Sequence, residues 1–225
     1  MTAYVVSGVT SSGLTVNSGD TLTAVGSGGA QGVVSSSVFN GGTVTVSSGG
    51  VITGDTLSGA TTGAFVATVR ASGSATLDAI DGWTINVSSG GVASALSAAY
   101  DATTGSNGII NVSSGGVATA DIVSSGGAQT VYSSGLAVST TISSGGIETV
   151  SVGGRASSTT VLGGGSEIVS AGGSAVSAHV SSGGSEIVVS GGIVTSATVF
   201  SGGAFVVSNG VDTGALTLKA VSATS

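Results

Sequence analysis

An all-β fold, a parallel β-solenoid coiling once every 19 residues, is what this 225-residue chain predicts. Two glycine series carry that expectation. The doublets Gly126-Gly127, Gly145-Gly146, Gly164-Gly165, Gly183-Gly184 and Gly202-Gly203 recur at 19 residues, and Gly116, Gly135, Gly154, Gly173 and Gly192 recur at the same period between them. Apolar columns are the third observation. Val112, Val131, Val150, Val169, Val188 and Val207 form one; Val123, Ile142, Val161, Val180, Val199 and Leu218 form another. A thinner column runs Ala118, Ala137, Ala156, Ala175 and Val194. A fixed period of this size marks stacked repeats, each too small to hold a core of its own.

The segments between glycines are three to five residues long and rich in Val, Ile and Thr, which suits strands. Glycine closes each one before a helix could gain stable turns. Residues 1–50 follow the same grammar with looser spacing and read as first coils and N-terminal cap. Tyr4–Val6 is a candidate first strand, and Leu14–Gly19 parallels Val44–Gly49. Residues 51–107 are irregular coils with insertions. One of these, Val92–Asn107, exceeds its later equivalents by about six residues. Residues 108–225 hold the regular repeats, which fade over Ala220–Ser225 with no capping helix, as in a rod cut from a longer one. The three stretches form one continuous domain.

Composition excludes several classes. The chain has 42 Gly, no Pro, no Cys and 6% charged residues, with a formal net charge of −7. Apolar residues make up 40% and fall in register, unlike a disordered tract. Arg70, Arg155 and Lys219 are too few for a nucleic-acid surface. No run of about 20 apolar residues is present to insert into a membrane. The opening Met1–Tyr4 lacks the charged and apolar regions of a secretory signal.

Three groups of residues are candidates for function. Glu148, Glu167 and Glu186, preceded in their column by Gln129, form an acidic ladder. Like charges stacked across strands repel by about 1 kcal/mol in water and far more inside, so this column is expected to face solvent and keep rods apart near neutral pH. A cation could relieve it, but the repeat lacks a calcium-binding pattern and no metal or cofactor site is expected. Trp83, Tyr100, Asp78, Asp81 and Asp101 cluster in or beside the irregular stretches; they read either as local packing or as an interaction patch. His179 stands in a column of threonines without a nucleophile motif, and Arg70 with Asp78 and Asp81 is the one conceivable catalytic cluster. Asn86-Val-Ser88 and Asn111-Val-Ser113 match a glycosylation acceptor, a match that arises easily in a Ser-rich repeat.

The unit, as in Ser143–Val150 and Ser181–Val188, resembles the repeats of self-associating bacterial autotransporter adhesins of the AIDA type. The resemblance covers most of the chain and is strongest over 109–211. It implies a right-handed β-helix, a secreted or surface-bound passenger, and aggregation through association with identical rods on neighbouring cells. It also implies serine modification by a glycosyltransferase, with Ser124, Ser143 and Ser181 at matching turn positions. No translocating barrel is part of this sequence.

A structural adhesin, rather than an enzyme, is therefore expected. A glycan-binding or polysaccharide-processing β-helix is the alternative. An ice-binding solenoid is a further one: Thr-x-Thr occurs at Thr21-Leu-Thr23 and Thr43-Val-Thr45 but does not recur in register. In the adhesin reading Val169→Asp should unfold its neighbourhood, while Glu167→Val should be mild.

Overall fold

The computed structural model describes residues 1–57, 65–77, 80, 82–102, 105–208, 211–212 and 217–219. They form a β-solenoid of about ten turns. In the regular half each coil contributes a strand to each of three parallel sheets. One coil supplies Ile147–Val150, Arg155–Ser157 and Thr160–Val161. Main-chain bonds join each coil to the one before: Ile147 N–H donates to Gly127 O at 3.2 Å, Arg155 N–H to Gly135 O at 3.0 Å, and Thr160 N–H to Thr140 O at 2.8 Å.

The first sheet has 11 strands and runs the length of the described chain. Its pairs show the coil length directly. Ala3 faces Thr21, Thr21 faces Thr43, Thr43 faces Val66, Phe65 faces Trp83 and Thr84 faces Ile109, which gives coils of 18, 22, 23, 18 and 25 residues. From Ile109 opposite Ala128 onward every step is 19. The extra six residues of the 25-residue coil leave the stack as a hairpin that pairs Tyr100 with Asn107 and Asp101 with Ser106. At the N-terminus, Thr15–Asn17 pairs with Val38–Asn40, and Thr21–Val25 pairs with Thr43–Ser47. The expected equivalence of Leu14–Gly19 with Val44–Gly49 is therefore wrong. Their shared glycine endings mark similar turns at different corners.

The core lies along the axis. Val112, Val131, Val150, Val169 and Val188 are fully buried; Val207, on the last described coil of this sheet, is 47% exposed. The second sheet contributes Ala118, Ala137, Ala156, Ala175 and Val194, and the third Val123, Ile142, Val161, Val180 and Val199. A buried valine is worth roughly 1.5–3 kcal/mol, so stability grows with each coil.

Two expectations are overturned here. Glu148, Glu167 and Glu186 do not face solvent: each is 0% exposed. Glu148 and Val150 lie two apart on one unbroken strand, so they share a face. The outward residues are Thr149, Ile168 and Ile187. Trp83 is likewise 0% exposed and packs in the core, where a large ring fills an irregular coil; it is not part of a surface patch.

Candidate functional site

Two features distinguish this rod: a polar seam inside it and uncharged ladders outside it. The seam begins where the inward column of the first sheet changes character. Tyr4, Leu22, Val44, Ala67, Ile85 and Ile110 precede Gln129, Glu148, Glu167 and Glu186 in register, and Phe205 follows. Across the core, the corner before the third sheet supplies Asp121, Thr140, Thr159, Ala178 and Ala197, all buried.

These two columns bond to each other. Gln129 Nε2–H donates to Asp121 Oδ2 at 3.0 Å, and Thr140 Oγ1–H lies 3.2 Å from Gln129 Oε1 and 3.3 Å from Glu148 Oε1. Thr159 Oγ1–H donates to Glu148 Oε2 at 3.0 Å. Neither Glu167 oxygen has a hydrogen-bond partner of normal geometry. Burial pushes Glu148 up to about 7 despite its two hydroxyl donors, and pushes Glu167 well above the usual range, with Glu148 and Glu186 adding repulsion. Asp121 rises to about 7 by burial, although Leu96 N–H and Gln129 bond to it.

Buried aspartates elsewhere tie consecutive coils together. Asp20 accepts the Thr2 and Asn17 N–H groups, and Asp55 accepts those of Ser37 at 2.6 Å and Thr53 at 3.1 Å. Asp20 and Asp55 thus each cap an amide of the preceding coil 18 residues back, while Asp121 does so 25 residues back. Sequence reasoning missed this role; the signal available was an acid at a corner one coil length after an unpaired amide.

The exterior follows from where the acids went. In the regular half Asp121, Glu148, Glu167 and Glu186 are all inside, and the exposed charged or titratable side chains over residues 108–208 are Arg155 and His179. The first sheet presents outward ladders instead. One runs Thr23, Thr45, Thr68, Asn86, Asn111, Thr130, Thr149, Ile168, Ile187. Asn111 Nδ2–H donates to Asn86 Oδ1 at 3.0 Å, tying two rungs. The two Thr-x-Thr segments do stack in register, Thr21 on Thr43 and Thr23 on Thr45, contrary to the sequence reading. The doubled threonines end there, because the next rungs are Val66 with Thr68 and Thr84 with Asn86.

The expected patch is divided. Trp83 is internal, and Asp78 and Asp81 lie outside the described residues. Tyr100, 48% exposed, and half-buried Asp101 remain together on the hairpin, which sits over the corner at Ser125 and Gly126. Ser124, Ser143 and Ser181 are half-buried at the corner after the third sheet, each donating its N–H to the preceding coil. Main chain and small side chains line a groove of about 300 Å³ at Gly26–Gln31 and Ser48–Gly49, with no acid or base in it. Among the described residues no cluster of three potential metal ligands occurs, and no helix is long and apolar enough to cross a membrane.

No protein-family model matches the sequence, and no curated protein matches it. Among solved structures the chain is similar to the TibA 55–350 fragment, hyperglycosylated by TibC, with a TM-score of 0.70 and 30% identity. The similarity covers 98% of this chain and 92% of that one. The neighbour is a fragment of an autotransporter adhesin. With that identity extending over almost the whole of both chains, this β-solenoid belongs to the family of autotransporter adhesin passengers that TibA represents.

Proposed function

We propose that the chain is a non-enzymatic adhesin segment of a secreted or surface bacterial protein, and that its rods associate side by side with identical rods on neighbouring cells. The observation that carries this reading is the burial of Asp121, Glu148, Glu167 and Glu186, the acids of residues 108–208. The lateral surface is left with repeating Ser, Thr and short apolar side chains and no like-charge barrier. Such ladders offer few buried aromatic or Arg hot spots. Each rung contributes only weak polar contacts of about 0.5–1.5 kcal/mol net, and strength comes from many rungs on many rods. In dilute solution the segment should be monomeric or weakly dimeric, while dense display on beads should make them clump. Removing whole 19-residue coils should weaken clumping in steps. Abolition of clumping by one surface substitution would sink the distributed-contact reading.

Modification belongs to the same proposal. The neighbour's hyperglycosylation supports a transferase acting on corner serines, including Ser124, Ser143 and Ser181. Intact mass of protein from its native host should show additions in sugar-sized increments; an unmodified mass would remove this part.

A glycan-binding reading is favoured by one observation, the projecting hairpin with half-exposed Tyr100. A glycan array with Tyr100→Ala as control tests it. Trp83→Ala is unsuitable, because that ring supports the core.

A further inference from the structure

We infer that the Glu148–Glu167–Glu186 ladder is a proton-holding site, and that the coils between Ala128 and Val207 close fully only when protons sit among these three carboxyl groups. The rod then loosens in its C-terminal half as the surroundings turn alkaline, while its N-terminal half stays closed.

The geometry requires it. The three glutamates occupy directly paired positions on neighbouring strands, about 4.8 Å apart, and all are 0% exposed. Among the described residues no cationic side chain lies against Glu148 or Glu167. Facing them across the core are Asp121, itself an acid, then Thr140, Thr159, Ala178 and Ala197; the second and third sheets contribute only Ala, Val and Ile there, and Phe205 packs at the far end. Arg155 and His179, exposed, and the half-buried phenol of Tyr132 at the corner after the first sheet are the other charged or titratable groups of these coils.

Donors also run out along the column. Glu148 receives two hydroxyl bonds, from Thr140 and Thr159. Beyond Thr159 the facing column turns to Ala178 and Ala197, and Glu167 is left with no hydrogen bond of normal geometry, the Thr159 hydroxyl already donating to Glu148 being its one polar neighbour on that column. An ionised carboxylate there would be a buried charge between two other acids with at most a shared hydroxyl to meet it, which proteins avoid by keeping the proton. A protonated carboxyl is a donor as well as an acceptor. Each retained proton can therefore make one O–H···O bond between stacked carboxyl groups, supplying what the alanines do not. Gln129, one rung earlier, shows that a neutral side chain of the same shape fits: its amide both donates and accepts. In the preceding coils the column holds Tyr4, Leu22, Val44, Ala67, Ile85 and Ile110, with no acid in it; the buried acid of that half that burial raises, Asp55, stands alone and is met by the Ser37 and Thr53 N–H groups.

The sign follows from linkage. A carboxyl raised from 4.5 to about 7, as at Glu148, holds its proton in the fold and releases it on unfolding. Its stabilising preference for the fold is complete below about 4.5 and is lost as pH rises through about 7. We expect the melting temperature to fall by roughly 5–15 °C between pH 5 and 9. Glu148→Gln/Glu167→Gln/Glu186→Gln should remove most of that fall. Amide exchange corrected for its intrinsic pH dependence should accelerate at pH 9 in peptides from 128–207 and not in those from 3–112.

A direct readout needs no variant. These three are the chain's only glutamates, so 13C-glutamate labelling reports the ladder alone. Carboxyl resonances still protonated at pH 6 support the site. Midpoints near 4.5, a triple-Gln variant with the wild-type pH slope, or exchange that accelerates equally along the rod would each overturn it. The adhesion reading survives any of these results.

Discussion

At the corner after Val112, Gly115 has φ +76° with open space where a Cβ would go, whereas a Cβ on Gly116 would lie 2.3 Å from Val87 O. Gly115 answers a local backbone need, which Ser114 next to it shares at φ 49°. Gly116 answers to the coil beneath. We expect Gly115→Ala to cost about 1 kcal/mol and Gly116→Ala to cost about 3 kcal/mol or more by forcing two coils apart, as read in urea titrations. Trp83→Ala should cost about 3–5 kcal/mol, because it empties a fully enclosed site. Thr159 is the donor at 3.0 Å to Glu148 Oε2. Losing a bond that favours the charged form raises an acid's pKa, so Thr159→Val should move the Glu148 midpoint above its present value of about 7, measurable by carboxyl NMR.

The strand is the scale at which sequence reading succeeded and failed. The Val, Ala and Val/Ile columns were legible because a 19-residue repeat prints each inward position as a vertical register of like residues. The glutamate column was equally visible, yet its direction was misjudged. Charge argued for outside, while the spacing of Glu148 and Val150 argued for inside, and alternation along a paired strand is the stricter rule. Partner hydroxyls made the inside tolerable, and these come from Thr140 and Thr159 on a different corner, a placement that strand spacing alone does not reveal. The hairpin at Tyr100–Asn107 was legible as surplus length but not as structure. Its six extra residues leave the stack, so deleting Asp101–Ser106 should restore a 19-residue step. We expect a melting temperature within about 3 °C of wild type and an unchanged circular dichroism spectrum. Collapse of the fold would show that the hairpin braces the corner it covers at Gly126.

For the whole molecule the formal charge of −7 overstates what solvent meets. With Asp121, Glu148 and Glu167 holding protons at pH 6, unfolding should release about three, measurable by calorimetry in buffers of different ionisation enthalpy. Release near zero would mean the acids are ionised in the fold. The stack itself has a consequence under load. Consecutive coils are joined by rows of main-chain bonds that lie along the rod axis, and a pull applied at the tip acts along that axis. The end coil carries the strain first, and its bonds can part before those of its neighbour are disturbed. Each 19-residue coil then pays out roughly 60 Å of thread, and the 25-residue coil roughly 80 Å. A rod drawn in this way lengthens in even steps at nearly constant force, which would let the cell-to-cell contact proposed above absorb a sudden pull.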